Sequence, residues 1–146
     1  MRLTEHFFLE EFTRSTSAAR AGIDNSLPAE YLPRVQKLAQ ALENLRQVVG
    51  GNPIIIRSGY RCPALNDMTP GSSKTSAHML GYAADFVIVG IAPLEVCQFI
   101  RYTPSIPFDQ VIYEYGSWCH LSVDPRFRRE LWTKKAGKPY IEGIVA

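Results

Sequence analysis

The sequence predicts an α+β domain, with a small, mainly antiparallel sheet flanked by helices. Tyr31, Leu32, Val35, Leu38, Leu42, Leu45 and Val49 recur at three- and four-residue steps, the period of an amphipathic helix. Short apolar runs at residues 53–57, 83–89, 108–115 and 118–123 read as strands. One helical segment interrupts those strands and a tight turn joins the last two, an order that favours antiparallel pairing.

Taken in order, residues 4–22 hold two short amphipathic pieces. Phe7, Phe8, Leu9 and Phe12 surround Glu10 and Glu11. Ser15, Thr16 or Ser17 can then cap Ala18–Ala21 before Gly22 ends the helix. The aromatics here are expected to pack on the core, and His6 to be a surface or capping histidine. A helix is expected over residues 26–50, entered through Ser26, Pro28 and Glu30 and left at Gly50-Gly51, with Pro33 limiting how early it begins. Residues 53–57 read as a buried strand that delivers Ser58-Gly59-Tyr60-Arg61 at its end, followed by a polar loop over 66–75. The strand at 83–89 would carry Asp85. Pro93 starts a helix through Leu94, Val96, Cys97 and Ile100, which Pro104 and Pro107 stop. A hairpin with Gly116 in its turn follows, and residues 125–146 carry little pattern.

A chain of 146 residues suits one domain, spanning 1–146, with a core that needs no disulfides. A hydrophobic share of 46% and a charged share of 21% describe a globular protein, and a net charge of +2 gives no reason to expect nucleic acid. Arg126, Arg128, Arg129, Lys134, Lys135 and Lys138 cluster late in the chain, either as a solvated face or as a contact for an anionic polymer. Cys62, Cys97 and Cys119 form no CxxC pair and are expected to be reduced, buried thiols. No apolar run approaches a membrane span, and no secretory signal follows Met1, so synthesis in the cytoplasm and a monomer are expected.

The chemistry concentrates in Ser76-Ala77-His78-Met79-Leu80-Gly81-Tyr82-Ala83-Ala84-Asp85. His78 and Asp85 stand seven apart around Gly81, so a turn can fold both toward one metal ion, with His120 supplying a third ligand from a strand. Two imidazoles and a carboxylate with a position left open make a catalytic rather than a structural zinc set. The plainer reading is that His78 caps a turn.

Three segments then carry a resemblance: Ser58-Gly59-Tyr60-Arg61, Ser76-x-His78-x-x-Gly81-x-Ala83-x-Asp85, and Trp118-x-His120. Together they resemble the signature of the zinc D-alanyl-D-alanine carboxypeptidases and related L-alanyl-D-glutamate endopeptidases of bacteria and phages. That family has a hedgehog-like fold and acts on peptidoglycan, and the likeness runs from about Phe7 to about Val123. The resemblance implies that His78, Asp85 and His120 hold Zn2+, that Arg61 orients the substrate, and that Ser76 lies beside it. Arg61 pairing a surface acid and Ser76 capping a turn are the plainer alternatives. A substrate in the wall would require release or delivery of the protein, as for a phage lysis enzyme.

Family members place an acidic general base three residues before the last histidine, where this chain has Ser117. Glu114 is the first substitute, ahead of Asp124 and Asp109, with Asp109 read first as a cap or turn residue. A two-residue turn at Gly116-Ser117 would pair Glu114 with Cys119 and turn it away from His120. A three-residue turn at Tyr115-Gly116-Ser117 would pair it with Trp118, on the face of His120. The expected activity is hydrolysis of an amide in peptidoglycan stem peptides, as a carboxypeptidase or an endopeptidase. The competing expectation is a non-catalytic zinc-containing module that binds the wall or serves a phage particle.

Overall fold

Helices lead and strands follow, as the periodicities predict. The computed structural model describes residues 1–146. Two short helices, α1 (Leu9–Thr13) and α2 (Thr16–Ala21), meet at Ser15, whose hydroxyl accepts from the Ala18 amide at 3.1 Å. Gly22 closes α2 with φ 67°, a left-handed conformation that costs glycine little. Helix α3 (Leu32–Val48) begins later than expected, because a 3-10 turn at Ala29–Tyr31 precedes it and Pro33 fits only its first turn. Its inner face buries Val35, Leu38, Ala39, Ala41, Leu42 and Leu45.

The strands are β1 (Ile54–Ser58), β2 (Ala83–Ile88), β3 (Gln110–Glu114), β4 (Trp118–Ser122), β5 (Glu130–Lys134) and β6 (Ile141–Glu142). They form one sheet in the order β1-β2-β4-β3-β5-β6, antiparallel except where β5 runs parallel to β3. Helix α4 (Pro63–Met68) follows β1, and α5 (Pro93–Arg101) connects β2 to β3. No helix is long and apolar enough to cross a membrane.

Because paired residues share a face of a pleated sheet, the registers define rows that run across it. Phe86, Cys119 and Leu121 turn toward α3 and α5 and join a cluster of 24 buried apolar residues. The other face carries the row Ser58–Asp85–His120–Ile112–Trp132–Glu142. Sheet geometry therefore brings Asp85 and His120 side by side from positions 35 residues apart.

Four expectations need correction. β1 is an edge strand whose residues alternate: Ile54 is 8% exposed and Ile55 48%. Part of the stretch expected to be loop is helical, since Pro63 supplies a favoured first residue for α4. The weakly patterned end of the chain contains two strands, β5 and β6. The thiols divide as well: all three are free, Cys97 and Cys119 are buried, and Cys62 is only partly so.

The connection into β5 is held by Asp124, which accepts from Arg126, and by Asp109, which accepts from Arg128. Asp109 Oδ1 accepts from the Arg128 amide and Nε at 2.9 Å each, and Oδ2 accepts from Nη2 at 2.8 Å. The Glu130 amide then donates to the Asp109 carbonyl at 2.8 Å, which starts the β3–β5 ladder. Burial raises the Asp109 pKa, but the Arg128 hydrogen bonds outweigh this and leave it lowered. A carboxylate whose folded pKa lies below its unfolded value stabilises the fold above that value, and the benefit fades as pH falls through the folded pKa.

Asp109→Asn should lower unfolding stability at pH 7 by about 2 kcal/mol, and its deficit relative to wild type should shrink as pH falls below about 3.9; urea titrations at several pH values measure both. A Cβ at Gly59 would lie 2.4 Å from the Phe12 carbonyl oxygen and 2.7 Å from its Cα. Gly59→Ala should therefore cost about 2 kcal/mol or more, seen as a lower urea midpoint with little change in slope.

Candidate metal centre

His78 lies in a 3-10 turn, Ala77–Leu80, capped by Ser76, whose hydroxyl accepts from the His78 amide at 3.2 Å. Gly81 ends the turn with φ 79°, and β2 begins two residues later with Asp85 on the open face. The seven-residue spacing thus spans one capped turn and half a strand. His78 Nε2 lies 3.2 Å from Asp85 Oδ1, and His120 Nδ1 lies 2.9 Å from the same oxygen. All three residues are buried, and their three ligand atoms lie within 4.8 Å of one another. This group could hold a metal ion.

The surroundings orient the donors. His78 Nδ1 lies 2.7 Å from the Gly59 carbonyl oxygen; donation from Nδ1 leaves the lone pair of Nε2 facing Asp85. Burial would raise the Asp85 pKa, but the two imidazoles override it and hold the carboxyl well below its ordinary range. Burial lowers the His78 pKa against the pull of Asp85, whereas for His120 the hydrogen bond to Asp85 wins over burial and raises it. The cluster is arranged around a carboxylate that stays ionised.

The hairpin takes the three-residue turn. Glu114 pairs with Trp118, and Tyr115 and Gly116 both take left-handed φ, 56° and 66°. Glu114 therefore shares the face of His120, with Oε1 3.6 Å from Nδ1. Burial, and then the charge of Asp85, raise its pKa to about 7. The other two acids are engaged elsewhere: Asp109 by Arg128, and Asp124 by the Arg126 amide and Nε at 3.0 Å and Nη2 at 3.2 Å. Ser117 is a turn residue whose hydroxyl bonds the Tyr115 carbonyl.

Arg61 is buried with no carboxylate in direct contact. Its Nε donates to Asn66 Oδ1 at 3.1 Å, Nη1 to Ser58 Oγ at 3.2 Å and Nη2 to Ser76 Oγ at 3.4 Å. A guanidinium has five N–H donors, so two are left without a protein acceptor. Ser76 thus does two jobs, capping the His78 turn and holding Arg61. Asn66 was not singled out from the sequence and Ser58 was given no role beyond its motif, because nothing in their spacing reveals that they share one guanidinium.

His78, Asp85, Glu114, His120, Arg61 and Ser76 line a cleft of about 1280 Å³. Arg14 and Arg57 stand on the β1 side of it, and Trp132 and Tyr140 on the β5–β6 side. The aromatic wall was also absent from the sequence reading, since it belongs to strands that carry no clear alternation. A second group, Glu5, His6 and Glu43, lies elsewhere and is more exposed. There His6 Nδ1 lies 3.0 Å from Glu43 Oε1, with Arg46 Nη1 at 3.1 Å from Nε2. His6 is thus a surface histidine, and its carboxylate neighbour comes from 37 residues away.

No curated protein matches the chain. Residues 5–122 match the family Peptidase M15, a span that takes in α1 through β4 and therefore His78, Asp85, Glu114 and His120. The chain belongs to the peptidase M15 family.

Proposed function

We propose that this protein is a zinc-dependent peptidase that hydrolyses an amide bond in the stem peptides of bacterial peptidoglycan. The observation that carries the reading is the convergence of His78 Nε2, Asp85 Oδ1 and His120 Nδ1, with Glu114 on the same face. Nitrogen and oxygen donors in this ratio suit zinc, and the Gly59 contact to His78 is the outer-shell partner such a ligand needs. Bound there, zinc would supply a Lewis acid that polarises the scissile carbonyl and acidifies water.

The remaining work falls to the chain. Glu114 accepts the proton of the attacking water and returns it to the leaving amine, a role served by a carboxyl that titrates near neutrality. Arg61, fixed by Asn66, Ser58 and Ser76, offers its two spare N–H donors to a carboxylate or carbonyl oxygen of the stem peptide. The cleft extends to both sides of the centre, toward Arg57 on β1 and toward Trp132 on β5. That extent favours an internal bond of a longer substrate over a terminal residue.

The rival reading is a zinc-holding module without turnover, motivated by Ser117 where the resemblance expects an acid. Glu114→Gln separates the two. It should keep zinc, measured by elemental analysis, while muropeptide release followed by mass spectrometry falls about 10²- to 10⁴-fold. Wild-type protein that binds zinc and releases nothing would sink the peptidase reading. His78→Ala should lose both zinc and turnover, and chelation of the wild type should abolish turnover until zinc is returned.

A further inference from the structure

We propose that the β5–β6 arm carries a second binding subsite, for a pyranose ring of an amino-sugar strand, on Trp132 and Tyr140. This rests on the peptidoglycan reading above and assigns the part of that polymer the arm contacts. The family match ends at residue 122, whereas the arm runs from Glu130 to Glu142 and still faces the same cleft.

Register places the arm. Trp132 stands in the row of Asp85 and His120, separated from His120 only by Ile112. Lys134 is the direct neighbour of Glu114, and its ammonium lies 5.2 Å from the centroid of the Tyr140 ring. Trp132 and Tyr140 meet nearly at right angles, 80° between planes with centroids 6.4 Å apart, so the two rings present differently oriented walls to a ligand. Tyr140 is half exposed. The indole of Trp132 is held from its own face of the sheet: Glu130 Oε1 accepts from Trp132 Nε1 at 3.4 Å and from Gln110 Nε2 at 2.8 Å.

The chemistry of the wall selects its occupant. A pyranose has an apolar C–H face, which stacks on the negative face of an aromatic ring, and a rim of hydroxyls for a cleft-lining amide such as Gln110. Stem peptides of small and carboxylated residues have no such flat face. The cations that line this side, Arg126 and Arg128, are already paired with Asp124 and Asp109, whereas Arg14, Arg57 and Arg61 on the other side have no carboxylate partner. The two halves of the cleft thus match the two halves of the polymer, with acidic peptide toward β1 and sugar toward β5.

The test is direct binding, independent of turnover. A β-1,4-linked N-acetylglucosamine tetrasaccharide is titrated into the full chain, zinc-loaded and metal-free, followed by tryptophan fluorescence and by NMR. Saturable binding is expected in both forms. Trp132→Ala and Tyr140→Ala should each weaken it about 10-fold or more, while Tyr140→Phe, which keeps the ring, should bind as wild type does. Unchanged zinc content checks that the variants fold. No binding by wild type, equal binding by the alanine variants, or chemical-shift changes confined to the β1 side would overturn the subsite. Failure of the peptidase reading registers separately, as sugar binding by a protein that releases no muropeptide.

Discussion

One oxygen atom, Asp85 Oδ1, lies within hydrogen-bonding reach of two buried imidazoles, and much of the structure exists to permit that. A buried carboxylate is costly unless its charge is met. Here it is met from two directions, by a turn immediately upstream and by the adjacent strand. The turn depends on the Ser76 cap and on Gly81, and the strand depends on the β2–β4 register. A slip of one residue in that register would carry His120 to the core face and bring Cys119 or Leu121 to the carboxylate. Core packing resists such a slip, since Phe86, Cys119 and Leu121 are all fully buried.

The same division of faces governs the hairpin. With a two-residue turn Glu114 would point away from His120; the third residue restores it to the open face. Tyr115 takes a left-handed conformation, uncommon for a non-glycine residue, in order to make that turn. Its amide donates to the Lys134 carbonyl at 2.8 Å, so β5 helps hold the strained residue in place. The position of the proposed base therefore depends on a strand that follows it in the chain.

The centre was more legible in the sequence than its supports. His78, Asp85 and Gly81 lie within one local motif, and hairpin arithmetic brought Glu114 to the face of His120 once the longer turn was chosen. Arg61 could be named, but the hold of Asn66 and Ser58 on it could not, because a shared guanidinium leaves no trace in spacing. β5 was missed because its core-facing residues, Leu131 and Thr133, sit between the long side chains Glu130, Trp132 and Lys134 and blur the alternation. Its parallel pairing also arrives through a connection held by contacts distant in sequence, such as Asp109–Arg128. β1 was read as buried because Ile54, Ile55 and Ile56 look alike, whereas an edge strand leaves the middle one outside.

The parallel strand has one more consequence, for how the chain can be shortened. β3 pairs with β4 on one side and with β5 on the other, so all of its main-chain donors and acceptors are spoken for. A protein trimmed to residues 5–122 would keep the whole centre yet leave Gln110–Glu114 as an open sheet border. An unpaired border of that kind, containing Val111 and Ile112, is a template for joining another copy strand to strand. In the intact chain the border moves outward to β6, only two residues long and bearing Glu142, which offers little for a second molecule to grip. On this side of the sheet the arm thus replaces a five-residue border with a two-residue one, as well as extending the cleft.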